Sequence, residues 1–322
     1  MSGESTTRRV DIVIAAGADA DAAVGCVRAV LAAANATAFD IFAVIESGAA
    51  DLFDAAFAAS ATRVRRVIAE PSAQAALDAA LRARSDRDVV VLAADARVHG
   101  DWLDRLVAHA TRDAMGVIGT FTNGAGTATY PLRDASAGLD AAAGTLDDAF
   151  ACANRGRSAE VDVVRGPCRY FTRRVLRALG VTVGTIVDAR LATDLSERAA
   201  RAGLRNAIAG DVWVARVSER LTDDGDDESM DADAAALLLA LTRRVDLARL
   251  AASPQPALVF VSHGWGGGVR RHMQDLAALV ADRAEVLHLE PAGSGHVRLS
   301  WWRAGESFDA RFALPEELDA LV

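Results

Sequence analysis

The stretch Asp88-Val-Val-Val-Leu-Ala-Ala-Asp95-Ala-Arg97-Val-His-Gly-Asp-Trp-Leu-Asp-Arg-Leu106 decides the fold. Val89 to Leu92 form a continuous apolar run, the pattern of a strand buried on both faces. The run ends in small residues and one carboxylate, Asp95. A turn is expected at His99-Gly100, with His99 read as a turn residue and not as a ligand. An amphipathic helix follows, carrying Trp102, Leu103, Leu106, Val107 and Ala110 on one face. Open α/β sheets bind ligands outside the carboxyl ends of their strands. Asp95 therefore stands where a ligand would be met.

Outward from this segment the same pattern repeats. Strands are expected at residues 10–16, 40–46 and 65–69, and helices at 19–34, 51–60 and 72–84. Strands alternating with helices predict an α/β fold, a mostly parallel sheet with helices on both faces. Beyond Gly116 the sequence predicts an apolar strand to Phe121, a loop through Tyr130-Pro131 and a helical stretch to about residue 155. It then predicts a strand at 161–165, helices at 172–179 and 195–202, and a closing strand at 207–217. Asp194-Leu-Ser-Glu197 has the spacing of a capping box, with Gly203 as the helix stop.

Length and composition bound the function. A chain of 322 residues is long for one core, so two domains are expected. An apolar content of 52% supports a well-filled interior. The net charge is −9, with no basic cluster interleaved with aromatics, which argues against nucleic-acid binding. All 35 basic residues are arginine, so a lysine Schiff base and a P-loop lysine are both excluded. Cys26, Cys152 and Cys168 are odd in number and widely spaced, which suggests neither a disulfide framework nor a zinc site. No apolar stretch reaches the roughly 18 residues of a membrane span. The expected location is the cytoplasm, free or peripheral to the inner membrane.

The acidic run 221–233 is the best domain boundary. The sequence divides into 1–218, a linker and helix at 219–256, and 257–322. The last segment reads as strand, glycine loop and helix: Leu258-Val-Phe-Val-Ser262-His-Gly-Trp-Gly-Gly-Gly268-Val-Arg-Arg-His272. A further strand is expected at 285–289, ending in Glu290. This is a partial Rossmann-like unit, although Val269 takes the third glycine position of a dinucleotide fingerprint.

Asp88 to Leu106, together with Val10-Asp-Ile-Val-Ile14, Phe42-Ala-Val-Ile-Glu46-Ser-Gly48, Phe121-Thr-Asn123, Gly166-Pro-Cys-Arg-Tyr170 and Ala209-Gly-Asp-Val-Trp-Val214, resembles family-2 glycosyltransferases of the GT-A fold, of the bacterial rhamnosyl and O-antigen type. The segment from Leu258 resembles the opening of a GT-B glycosyltransferase domain. The resemblance implies a sugar nucleotide or glycan as partner and a role in cell-surface polysaccharide synthesis. It also implies a nucleotide site at Ala15, Ala16, Glu46, Asp95, Arg97 and Arg216. In the family two acids one residue apart hold a divalent metal. Here the second acid is Arg97, the usual metal-binding histidine position is Arg216, and the catalytic base position is Ala192, leaving Asp194 as the one catalytic candidate. The expectation is therefore no metal or other cofactor and a degenerate domain that binds glycan or acts as a scaffold. The alternative is an active, metal-independent transferase in which Arg97 and Arg216 replace the metal. The further partners expected are a second copy of the chain, as a homo-oligomer, or the remainder of a longer transferase polypeptide, and 257–322 is expected to pack on the first domain or on another copy of the chain.

Overall fold

The computed structural model describes residues 9–17, 19–57, 63–68, 78–79, 81, 84, 86–123, 127–130, 143–180, 189–217, 231–263, 268–280, 283–293, 295–303 and 306–313. The chain divides into two compact units, Met1–Leu241 and Thr242–Val322. The division falls inside one long helix, Ala232–Ala251. Residues 221–230 of the acidic run lie outside the described residues, as does most of the helix expected at 72–84.

The first unit is built on strands β1 (Arg9–Gly17), β2 (Ala38–Ile45), β3 (Val64–Ile68), β4 (Asp88–Ala93), β5 (Ala96–Arg97), β6 (Met115–Thr122), β7 (Ser158–Glu160), β8 (Cys168–Phe171) and β9 (Arg205–Arg216). Its helices are α1 (Ala20–Ala32), α2 (Ala50–Phe57), α3 (Trp102–Ala110), α4 (Ala143–Ala153), α5 (Arg173–Leu179) and α6 (Ala189–Arg201). The strand order is β3-β2-β1-β4-β8-β6-β9-β5, with β7 on β9. β3, β2, β1 and β4 are parallel, and β6 is parallel to β9. Only β8 runs against its neighbours within the middle of the sheet. The result is the expected α/β fold, a large mostly parallel sheet flanked by helices.

The apolar run of β4 is buried from Val89 to Leu92 because a strand lies on each side of it. Val90 and Leu92 enter the main core with Ile12 and Ile14 of β1, Cys26, Val27 and Val30 of α1, and Trp102, Leu103 and Leu106 of α3. Burying a side chain of this size contributes about 1.5–3 kcal/mol. The helix after Asp95 starts at Trp102 and buries the expected face, with Val107 half-buried.

Several sequence readings change. The expected strand at 161–165 is not one. Its backbone is met singly: Val161 N–H donates to Asn206 O, and Arg165 N–H to the Thr127 hydroxyl at 2.7 Å. The strands nearby are the short β7 and β8, and β8 was hidden because Arg169, 7% exposed, interrupts its apolar run. α6 begins at Ala189, upstream of the expected capping box, so Asp194 is not its cap. Gly203 does close the helix, at φ +78°.

At the amino edge of the sheet Asp11 of β1 and Asp40 of β2 stand in register. Two carboxylates side by side repel. Arg84 and Arg87 resolve this: Arg84 Nη1 donates to Asp11 at 2.8 Å and Asp40 at 3.1 Å, and Arg87 Nη1 to the same pair at 2.9 and 2.6 Å. Burial pushes the Asp40 carboxyl up, but the Arg87 hydrogen bond and the charges of Arg84, Arg87 and Arg9 outweigh it and hold the group below its ordinary value. A carboxyl held low in the folded state binds fewer protons there than in the unfolded chain. Its stabilisation is present above the ordinary aspartate range and fades as pH falls through it. Arg87→Ala should lower stability by about 2 kcal/mol, and should flatten this acid-side loss, both measured by denaturant titration between neutral and acid pH.

The second unit contains β10 (Ala257–Val261), α8 (Gly268–Val280), β11 (Glu285–Pro291), β12 (His296–Arg303) and β13 (Glu306–Ala313); the long helix Ala232–Ala251 is α7. β10 and β11 are parallel and joined through α8, the expected strand–helix–strand unit. β12 and β13 then add antiparallel strands that the sequence reading did not foresee. Met273, Ala277, Val286 and Trp302 form a small core. Glu290 lies within β11, not after it, and faces Arg298 of β12 at 3.4 Å. Residues 264–267 of the glycine loop lie outside the described residues.

Candidate functional site

Going outward from the middle of the large sheet, β1, β2 and β3 follow in sequence to one side and β4 begins the other. The order reverses between β1 and β4, and a crevice at such a reversal is where open α/β sheets take ligands. β1 ends on small residues there: Ala15 pairs with Val44 of β2 and Ala93 of β4, and Ala16 and Gly17 complete the strand. Beyond β4 the chain turns at Ala94-Asp95 and enters β5. β5 pairs antiparallel with the end of β9, Ala96 opposite Arg216. That pairing sets Asp95 beside Arg216. The Val217 N–H donates to Asp95 O at 3.1 Å, and Arg216 Nε donates to Asp95 Oδ2 at 2.9 Å.

This ion pair is the centre of the site. Asp95 is 9% exposed and the Arg216 side chain 9%. Arg216 spends only Nε on the carboxylate. Among the described residues no protein group bonds its Nη1 or Nη2. Its backbone is fixed as well: Arg216 N–H donates to Asn123 Oδ1 at 2.6 Å, and Asn123 Nδ2 donates to Arg216 O at 3.0 Å. The Asn123 amide thus acts as one more rung of ladder beyond the end of β6.

Arg97, on β5, turns back onto α1. Its Nη1 donates to the carbonyls of Ala96 at 2.9 Å, Ala94 at 3.1 Å and Ala22 at 3.3 Å. The guanidinium lies over Gly25, where a methyl group would come within 2.1 Å of Nη2. Cys26 is enclosed next to it. Burial pushes that thiol up to about 12, with the Arg97 charge lowering it and the Asp95 charge raising it, so it is inert as a nucleophile. Burial raises the Cys168 thiol as well.

The carboxyl edge therefore brings together Ala15, Asp95, Arg97 and Arg216, with Ala16 at the end of β1. Glu46 follows β2 at the same edge, exposed at the head of a short 3-10 turn, Ser47–Ala49. Asp194 is not joined to them. It is exposed on α6 and pairs with Arg198 one turn on, at 3.6 Å. Ala192 lies in the same helix. His99 closes β5 into the Gly100 turn, where Gly100 has φ +55°, and its carbonyl accepts from the Trp102 N–H.

The donor set does not fit a hard dication. Such an ion wants several oxygen ligands, whereas Asp95 is engaged by a guanidinium and Arg97 holds the position two residues on. Among the described residues no group of three or more His, Cys, Asp or Glu side chains could hold a metal. What the edge offers instead is two arginines, with Arg216 Nη1 and Nη2 bonded to no protein group among the described residues.

A second buried polar cluster sits where α3 and α4 meet β9. β9 bulges between Ala209 and Trp213 relative to β6. Asp147, fully buried, accepts from Arg105 Nη2 at 2.5 Å, from Arg105 Nη1 at 3.1 Å and from the freed Trp213 N–H at 3.0 Å. Asp211 bonds His109 Nε2 at 2.7 Å and accepts from the Gly156 N–H at 2.7 Å. The sequence reading missed this cluster and the part played by Asn123 and Gly25. A lone Asn after a strand, or one Gly in an alanine-rich helix, carries no pattern that would have exposed them.

No protein-family model matches the chain, and no curated protein does. Among solved structures, the mannosyltransferase PcManGT from Pyrobaculum calidifontis, in complex with GDP-Man and Mn2+, is similar over 87% of this chain and 82% of its own, at 17% identity and a TM-score of 0.45. A likeness that loose carries no residue role across. Among the described residues no helix is long and apolar enough to cross a membrane.

Proposed function

We propose that this chain is a glycosyltransferase-family protein of cell-surface polysaccharide synthesis. Its first unit is a catalytically degenerate GT-A-like domain that binds glycan or acts as a scaffold. Residues 219–256 link it to the start of a GT-B-type segment at 257–322, and the protein works in the cytoplasm or at the inner membrane surface. One observation carries the degenerate reading: Asp95, the acid kept from the family's metal motif, is engaged by Arg216. The candidate base supports it. An inverting transfer needs a carboxylate within hydrogen-bond reach of the attacking hydroxyl. Asp194 is instead exposed and paired along its own helix.

A second reading has its own support. Among the described residues no protein group bonds Arg216 Nη1 or Nη2, which lie near the strand-order reversal, and guanidinium matches the geometry of phosphate. In that reading the crevice takes a sugar nucleotide without metal, Arg97 and Arg216 supplying the charge for the diphosphate. Loss of a general base alone costs on the order of 10²–10⁴ in rate. The expected result with a panel of sugar nucleotides, in chelator and in manganese, is no transfer or donor hydrolysis above background. Turnover that survives chelator and collapses in Arg97→Ala would replace the degenerate reading with the active one.

A further inference from the structure

Each of the two arginines at the crevice also depends on an uncharged residue. Arg216 ends β9, where a strand would fray. Asn123 prevents this with two hydrogen bonds, accepting from the Arg216 N–H at 2.6 Å and donating to the Arg216 carbonyl at 3.0 Å. Asp95 then orients the side chain through Nε, so the Nη edge is presented from a side chain that is 9% exposed. Arg97 depends on Gly25. Any side chain at that position meets Nη2 at 2.1 Å and the guanidinium carbon at 2.7 Å. The obstacle is the tip of a flexible side chain, so a methyl there displaces Arg97 and leaves the helix intact. Glycine inside α1 is otherwise unfavourable, because alanine is the better helix former. A helix that keeps glycine under an arginine keeps room for that arginine.

We propose that Asn123 and Gly25 are positioning residues of a metal-free anion site. Asn123 fixes where Arg216 presents Nη1 and Nη2, and Gly25 leaves the recess in which Arg97 lies. The ligand class is a diphosphate, free or as part of a nucleotide. The proposal rests on the reading that the crevice takes an anionic sugar nucleotide.

The test is calorimetric titration of the full chain with inorganic pyrophosphate and with nucleoside 5′-diphosphates, in chelator. It uses Gly25→Ala, Asn123→Ala, Arg97→Ala, Arg216→Ala and the doubles Gly25→Ala/Arg97→Ala and Asn123→Ala/Arg216→Ala. Each single is expected to weaken pyrophosphate by about tenfold, the scale of one charge-assisted hydrogen bond. Gly25→Ala should do so with an unchanged or raised thermal midpoint, which a merely structural role would not give. Each double should bind no worse than its arginine single, because the positioning residue acts through that arginine. If the wild type binds and the pairs are instead additive, or Gly25→Ala binds like the wild type, the positioning roles are wrong while the anion site stands. If the wild type binds neither probe, the anionic-ligand reading falls, and the proposal with it.

Discussion

Asp147→Ala is expected to lower stability by about 3–5 kcal/mol, the range seen when one partner of a buried ion pair is removed. The Asp147 side chain is fully enclosed and accepts three hydrogen bonds, two from Arg105 and one from the Trp213 N–H. Truncation leaves a guanidinium that is 10% exposed without its main counter-ion, and leaves the bulged β9 backbone with an unmet donor. Asp101 cannot compensate fully, because its carboxylate is 57% exposed and its attraction for Arg105 is screened by solvent. Urea denaturation of the full chain reads the loss. Two companions test the cause. Asp147→Asn keeps an acceptor for Trp213 and should cost less than alanine. The double Arg105→Met/Asp147→Leu should be less damaging than Asp147→Ala alone, because it removes the stranded charge with its partner. A double variant as unstable as the sum of its singles would show that Arg105 matters through its other contact, the carbonyl of Asp211.

What was legible in the sequence follows from the range of the forces involved. β4 could be read because four consecutive apolar residues have one economical explanation, burial between two strands. α3 could be read because its apolar stripe has helical period. The βαβ unit of the second part was visible for the same reason. β8 was not, since a four-residue strand with a buried arginine looks like loop, and only the sheet on both sides makes it a strand. The segment 161–165 alternated well enough to pass for a strand, but no neighbour offers it a ladder. Asp194 to Glu197 carried a cap signature, yet α6 begins five residues earlier. A local cap is worth about 1 kcal/mol, less than a further turn of packed helix. At the crevice the sequence could nominate Asp95, Arg97 and Arg216. It could not say that β5 would pair with β9 and bring residues 121 positions apart to 2.9 Å. That pairing turns a candidate metal acid into the anchor of an arginine.

Asp95→Asn should therefore tighten the binding of pyrophosphate, the opposite of what a metal ligand would do. The carboxylate sits against Arg216 and cancels part of its field. Two unit charges at about 4 Å interact by about 4 kcal/mol at an effective dielectric of 20, and an anion arriving at the Nη edge feels the carboxylate from only slightly farther away. Asparagine keeps an oxygen that can accept from Arg216 Nε, so the guanidinium stays oriented while its neutralising partner is gone. Solvent and salt reduce the gain, and about tenfold tighter binding at low ionic strength is the expected size. The gain should shrink as salt is raised and should vanish in an Arg216→Ala background. Manganese should make no difference to either protein. In the rival arrangement, where Asp95 swings from Arg216 to hold a dication, wild-type binding would require manganese and Asp95→Asn would abolish it. The two accounts predict opposite signs for one substitution, so titrations with and without manganese decide between an arginine and a metal as the cation of this crevice.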